Sequence, residues 1–312
     1  MIKVRLWKIG AAALASSVLC AAQQAGLKTL DEQLAAAESA FQKLQPDLAR
    51  AQAEWEKSGA LSAPVDWTIS RGLVLQRRLA ANGRFNGKRA IDVDLENDQV
   101  RFGWNDKFTL AAWILPASPS GVIVTRAEDI GDLAGYGLYL RNGRVQVNLV
   151  KRWPNDALSV ETEDPLGFNQ WRHVMMTYDG SRTADGVKIY IDGMPQKLKV
   201  QMDNLHLSFE TGEPVRIGGG GASESRFQGR MHDIQIFNIA LAPSEAAVLA
   251  TSTPIGEIAA KSPSSRTPAE SSKLRLFFLE REAPENMRAA WLELRELREQ
   301  KQRIKGKSSP FG

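Results

Sequence analysis

Between Leu30 and Trp55 the apolar residues Leu30, Leu34, Ala37, Phe41, Leu44, Leu48, Ala51 and Trp55 recur at alternating steps of four and three. That spacing lines one stripe of an α-helix, so a heptad-patterned helix is predicted over residues 27–58, its seam packed on a neighbour in the same chain. Pro46 falls inside it and removes a backbone donor, which predicts a kink or a split. From residue 66 the period changes. Short runs rich in Val, Ile, Phe, Trp and Tyr, separated by Gly, Asn and Asp, predict strands over 72–79, 89–93, 108–115, 122–126, 137–141, 144–150, 158–161, 171–178, 187–191, 196–200, 214–217 and 230–237. So many short strands imply two packed antiparallel sheets. Asn142-Gly143 and Asp192-Gly193 supply the positive φ angles of tight hairpins, the second joining 187–191 to 196–200.

After the last strand Ala242-Pro243-Ser244-Glu245 opens a short helix, and residues 251–266, rich in Ser, Thr and Pro, read as a linker. Thr267, Pro268 and Glu270 have the spacing of a cap, a first-turn proline and a capping-box acid, which starts a helical tail over 267–306. Its second helix follows Pro284 and carries one apolar stripe, Met287, Trp291, Leu294, Leu297 and Ile304. This stripe is expected to pair antiparallel with the N-terminal heptad helix.

Composition adds a few exclusions. With 43% hydrophobic and 24% charged residues the chain can bury a core, and 40 basic against 36 acidic residues leave a net charge of +4, too small an excess to imply a nucleic-acid partner. Lys3, Arg5 and Lys8 precede an apolar run over 9–19 that ends in small residues, the pattern of a secretory signal peptide over 1–22 cleaved after Ala22. The run is short for a bilayer, so a secreted, periplasmic or envelope-associated protein with no stable membrane span is expected. Cys20 is the single cysteine, and Ser17-Val18-Leu19 before it fit a lipoprotein cleavage box poorly. Cleavage after Ala22 therefore leaves no thiol for disulfides, thiolate metal sites or covalent haem attachment.

Several ordered segments carry a family resemblance. FTLAAWI at 108–114, YGLYL at 136–140, WRHVMMTYDG at 171–180, VKIYIDG at 187–193, and FQGRMHDIQIF at 227–237 continuing through Ala240, Leu241 and Glu245 resemble the successive strands of laminin-G-like, or concanavalin A-like, domains. The resemblance covers 66–250 and implies a mainly β, two-sheet antiparallel jelly-roll sandwich, here flanked by N- and C-terminal helices. It implies a binding module and not an enzyme. It also admits a Ca2+ site at the sandwich rim, for which Asp179 and Asp233 are the candidates, although Asp179-Gly180 and Asp192-Gly193 also satisfy ordinary turn chemistry. A wider likeness, taking in the flanking helices, is to the central portion of large exported cytochrome-like multidomain proteins of planctomycetes. No Cys-x-x-Cys-His occurs, so haem is not expected, and a tail ending at Gly312 suggests a truncated relative.

For a ligand, the loop after the 144–150 strand offers Arg152, Trp153, Asn155 and Asp156: an aromatic face for a sugar ring among hydrogen-bonding side chains. The alternative is a loop anchor tucked onto the sandwich. His173 shares a strand face with Trp171, Met175 and Thr177 and reads as a packed core residue, while His206 and His232 show no ligand spacing. Gly218-Gly219-Gly220-Gly221 follows a strand and leads to another, so it reads as a surface loop and not a phosphate cradle. A glycosidase needs two spaced carboxylates, and the Glu-x-Asp-x-x-Glu strand of laminarinase-like members is absent, Glu161, Glu163 and Asp164 being the nearest cluster, ahead of Pro165. The expected function is a secreted, non-catalytic module with a polysaccharide or envelope-protein partner; a structural spacer is the second reading and a glycoside hydrolase the third.

Overall fold

The computed structural model describes residues 28–59, 65–79, 83–93, 99–220 and 226–307, with side chains through 301. The expected signal peptide over 1–22, with Cys20, lies outside the described residues, as does the side chain of Ile304. The chain forms two compact units, Leu61–Phe277 and a second made of Met1–Ala60 with Phe278–Gly312.

The larger unit is the sandwich. Its first sheet holds, in spatial order, β1 (Leu73–Arg77), β14 (Gln228–Phe237), β4 (Phe108–Pro116), β9 (Arg172–Tyr178), β10 (Val187–Ile191) and β11 (Met194–Pro195), with β2 (Arg84–Asn86) also paired to β14. The second runs β12 (Leu198–Asn204), β8 (Asp156–Thr162), β7 (Arg144–Arg152), β6 (Gly135–Arg141), β5 (Gly121–Ala127), β13 (Val215–Ile217) and β3 (Ile91–Val93). Every pairing is antiparallel. The fold is the mainly β, two-sheet jelly-roll sandwich expected from the strand pattern.

The core between the sheets is built by alternation: Val174, Met176 and Tyr178 of β9 and Val145, Val147 and Leu149 of β7 enter it. Its densest part is aromatic. Phe108 stacks on Phe102 with centroids 4.6 Å apart and also meets Tyr136, Tyr178 and Phe209. The two buried phenols are satisfied, Tyr136 Oη donating to the Val100 carbonyl at 2.8 Å and Tyr178 Oη to that of Trp104 at 2.5 Å.

Asn142-Gly143 closes the β6–β7 hairpin with φ of 51° and 78°, as the sequence required. Asp192-Gly193 turns the chain with the same angles, but its partner strand differs from the expectation. β10 returns only through the two residues of β11, and β12 then crosses to the edge of the other sheet beside β8. Pro195, which has no N–H to donate, stands in β11, and the ladder to β10 ends with the Gln196 N–H donating to the Ile189 carbonyl at 2.9 Å.

The stretch 251–266 is also corrected. It contains a helix, α4 (Ile255–Ala260), with Ile255 and Ile258 wholly buried, and a 3-10 turn at Pro263–Ser265. Two apolar side chains three apart give this segment its own buried face, which a linker lacks. Together with α3 (Pro243–Leu249) and α5 (Pro268–Phe277) it forms a helical layer. α3 meets the first sheet at its edge, where a Cβ on Gly193 would stand 2.7 Å from Ala247 Cα. At the start of α5 the Thr267 hydroxyl accepts from the Glu270 N–H at 3.1 Å and the Glu270 carboxylate from the Thr267 N–H at 3.0 Å, the predicted reciprocal cap. Thr267→Ala is expected to lower stability by about 1 kcal/mol, read as a shift in urea midpoint.

In the smaller unit a helix over 28–43 (α1) is followed by α2 (Gln45–Lys57), with the break at Leu44 and Pro46 in the first turn of α2, so the proline splits the heptad helix. α6 (Glu285–Lys307), after a π-type turn at Phe278–Glu282, packs antiparallel to them. Leu34 and Ala37 meet Leu294 and Leu297, Phe41 stacks near Trp291, and Leu48 meets Met287 and Phe278. Lys301 to Asp31 at 2.7 Å and Arg298 to Glu38 at 3.1 Å fix the same register from outside.

Candidate ligand-binding face

Because Val145, Val147 and Leu149 face the core, Gln146, Asn148 and Val150 face outward, and the pairing register carries this alternation across the second sheet. One outward row runs Val122, Tyr139, Gln146, Glu161 and Lys199; the next runs Arg216, Thr125, Gly137, Asn148, Ser159 and Met202. The middle of both rows is polar and drawn together, with Tyr139, Gln146 and Ser159 buried beneath the half-buried Asn148 and Glu161. Gln146 Nε2 donates to Ser159 Oγ at 3.0 Å, and Ser159 Oγ donates to Asn148 Oδ1 at 2.8 Å. The Tyr139 ring lies over Gly137, whose absent Cβ would sit 2.5 Å from the Tyr139 hydroxyl oxygen. Burial raises the Tyr139 hydroxyl well above its usual range, so it is a neutral donor at any physiological pH.

One flank of this face is electrostatically self-contained. The Arg216 guanidinium, only 16% exposed, bonds Glu213 at 2.5 Å, stands 3.6 Å from Asp129 and 3.7 Å from Asp92, and donates to the Ala127 carbonyl. Gly218 and Gly220, both at positive φ, let the glycine run pass close to Thr125, whose hydroxyl donates to the Gly219 carbonyl at 2.9 Å. Gly218, Gly219 and Gly220 are a loop on this flank, and the next described strand is β14; Gly221 lies outside the described residues.

At the end of the sheet the four expected ligand residues come together. Arg152 and Asp156 are cross-strand partners that close the β7–β8 turn, and Trp153 and Asn155 are its tip. Two neighbours hold the turn: the Trp153 N–H donates to the Asp132 carbonyl at 3.0 Å, Arg152 stands 3.4 Å from the Asp132 carboxylate, and Asn204 donates to the Asn155 carbonyl at 2.6 Å. Asp156 is more committed than the sequence suggested, since its Oδ1 accepts the backbone N–H groups of His206 and Leu207. Trp153 itself is half-buried, serving both as an anchor and as part of the rim.

The two expected calcium ligands do not converge. Asp179 follows the Phe108-paired end of β9, while Asp233 sits at a bulge beside the Trp113–His232 pair. They are roughly 15 Å apart along the strands, five residues at about 3.3 Å each. Asp179 Oδ1 accepts the Ser181 N–H, closing a turn, and Asp233 accepts from Gln76 and Gln235 with Arg78 at 3.9 Å. Amide and guanidinium donors occupy the places where a hard cation needs further oxygens, so this pair does not fit a calcium cage.

His173 is a core residue of the first sheet's outer layer, 1% exposed, its ring edge-on to Trp113 at 5.3 Å. Burial lowers its pKa from 6.5 to about 4, with Asp192 opposing the change. Among the described residues no helix is long and apolar enough to cross a membrane.

Residues 86–247, just over half of the chain, match the family Laminin_G_3, described as the concanavalin A-like lectin/glucanases superfamily. The chain belongs to this family. Solved structures similar to it include the CBM40 of a Ruminococcus gnavus IT-sialidase bound to alpha2,3 sialyllactose, at 17% identity and a TM-score of 0.48, covering 58% of this chain and 100% of that one. Domains LG4-5 of the mouse laminin alpha1 chain match at 14% identity and a TM-score of 0.36, over 51% of this chain and 43% of that one. The Laminin_G_3 domain accounts for the sandwich from β2 to α3. Of the polar residues on its outer face, Tyr139, Gln146, Asn148 and Ser159 were not singled out from the sequence, although their alternation with Val and Leu was visible there.

Proposed function

We propose that the Laminin_G_3 unit is a secreted, non-catalytic module that binds a polysaccharide across the outer face of its second sheet, from the Tyr139–Asn148–Ser159 rows to the rim at Trp153. The observation that carries this is the path of accessible polar side chains from Asn148 and Glu161 to Arg152, Asn155 and the half-buried Trp153 at the sheet's end, held from beneath by the buried Gln146–Ser159 network. Sugars offer alternating hydroxyls and apolar ring faces, and this combination of amides, hydroxyls and an aromatic edge is complementary to both. Family membership supports the same reading.

An envelope-protein partner is the second reading. It is favoured by Ile130, 84% exposed, and Leu207, 51% exposed, which belong to the segments hydrogen-bonded to the same rim. A glycan array probed with the intact chain, with calcium and again with a chelator, separates the two. Binding to a defined glycan in both conditions, without release of shorter products, is the expected result. Silence from a folded, monodisperse sample contradicts the carbohydrate reading, and loss of binding on chelation contradicts its metal independence.

A further inference from the structure

The last strand of the sandwich breaks its own register where β14 crosses β4: the pairing shifts between His232 and Gln235, and Asp233 takes a φ of 50°. A β-branched or bulky residue would be strained there, whereas aspartate tolerates the left-handed region. Ile234 still enters the core, so the bulge leaves His232, Asp233 and Gln235 on the outer side of the first sheet, the side opposite to the polysaccharide face proposed above. They open onto a cleft of about 280 Å³, walled by Trp113 from β4 and roofed by the chain that links α3 to α5.

The cleft is chemically prepared on every side. Asp233 is held at 2.6 Å by the Gln76 amide and at 3.2 Å by that of Gln235, which fixes its carboxylate while leaving lone pairs for a further donor. Lys273, 2% exposed, is anchored by the Thr251 and Thr253 carbonyls at 2.8 and 2.9 Å. Asp66 and Arg78 complete the charged lining, so the two acids and two bases cancel. The lining carries no net charge, and a neutral molecule with many hydroxyls and one apolar face matches both the polar groups and the indole.

We infer that this cleft is a second binding site, for a single pyranose-sized sugar residue, formed by Trp113, the bulge at Asp233 and the anchored Lys273. It does not depend on the second-sheet face, and two sites facing away from each other suit the module to bridging two glycan chains.

The test is ligand-observed NMR and calorimetry on the intact chain, with a panel of methyl glycosides of common hexoses and N-acetylhexosamines, and with free amino acids as the zwitterionic comparison. At least one glycoside is expected to saturate the protein. Asp233→Asn, which keeps the shape and the tolerance of left-handed backbone but can accept from only one of Gln76 and Gln235, is expected to weaken it at least tenfold, with a folded protein whose melting temperature falls by a few degrees at most. Trp113→Phe, which shortens the aromatic wall, is expected to weaken it as well. Tyr139→Phe, on the other sheet, should leave this binding unaltered. Saturation by amino acids and not glycosides, absence of any saturable glycoside, or binding that survives Asp233→Asn but is lost in Tyr139→Phe each overturns the site; the last result would leave the second-sheet proposal standing.

Discussion

Phe108→Ala is expected to cost the sandwich about 3–5 kcal/mol, enough to leave a domain of ordinary stability partly unfolded at room temperature. Phe108 is fully buried and is the one ring that touches all four of Phe102, Tyr136, Tyr178 and Phe209. Truncation removes the apolar area and the ring contacts and opens a cavity that four rigid rings cannot close, which places the loss toward the upper end of that range. The Tyr136 and Tyr178 hydroxyls, tied to the Val100 and Trp104 carbonyls, hold their rings against such a collapse. Urea unfolding followed by tryptophan fluorescence measures the loss, and Phe108→Leu, which fills most of the space, should cost clearly less. An equal, small effect of both substitutions would mean that the aromatic cluster is not the centre of the core.

The second large effect is a response to acid. His173 has its pKa lowered by burial to about 4 from 6.5, so the native state holds it neutral where the unfolded chain protonates it. A depressed folded-state pKa gives stability that is fully present above 6.5 and is lost as pH falls toward about 4. The loss approaches about 3 kcal/mol at the bottom of that window, since each tenfold change in proton affinity is worth roughly 1.4 kcal/mol. Carboxylates titrate over part of the same range, so the comparison is with His173→Leu, which packs against Trp113 without an ionisable group. The difference in urea midpoint between the two proteins should widen steadily below pH 6.5 in favour of the variant. A constant difference across the range would place the His173 proton elsewhere.

The strand framework was legible because the sandwich core imposes a period of two on β4, β7 and β9, and the hairpin at Asn142-Gly143 because its backbone angles demand those residues. Thr267, Pro268 and Glu270 announced α5 for the same local reason. The elements that escaped notice are the shortest ones. β2 has three residues and owes its existence to β14, and β11 has two, so neither has a period to detect. The helix over Ile255–Ala260 hid behind flanking Ser, Thr and Pro, although Ile255 and Ile258 carried its signal.

For the site, the loop at Trp153 was found because it is contiguous in sequence. The polar rows of the second sheet join residues of three strands, and the cleft at Trp113 joins Asp66, Asp233 and Lys273 from distant parts of the chain. Pairing register joins the first set, and the packing of α5 and the 65–70 segment against the first sheet joins the second. Asp179 and Asp233 show the converse: two carboxylates suited to a metal by type, kept apart by that same register.

The most direct test of the central claim is calorimetric titration of the intact protein with the strongest glycan from the array, beside Asn148→Ala and Tyr139→Phe. Weakening of tenfold or more in Asn148→Ala, and a smaller loss in Tyr139→Phe, with melting temperatures close to the parent's, is the predicted result. Unchanged affinity in both folded variants would show that the polysaccharide does not lie on the second sheet.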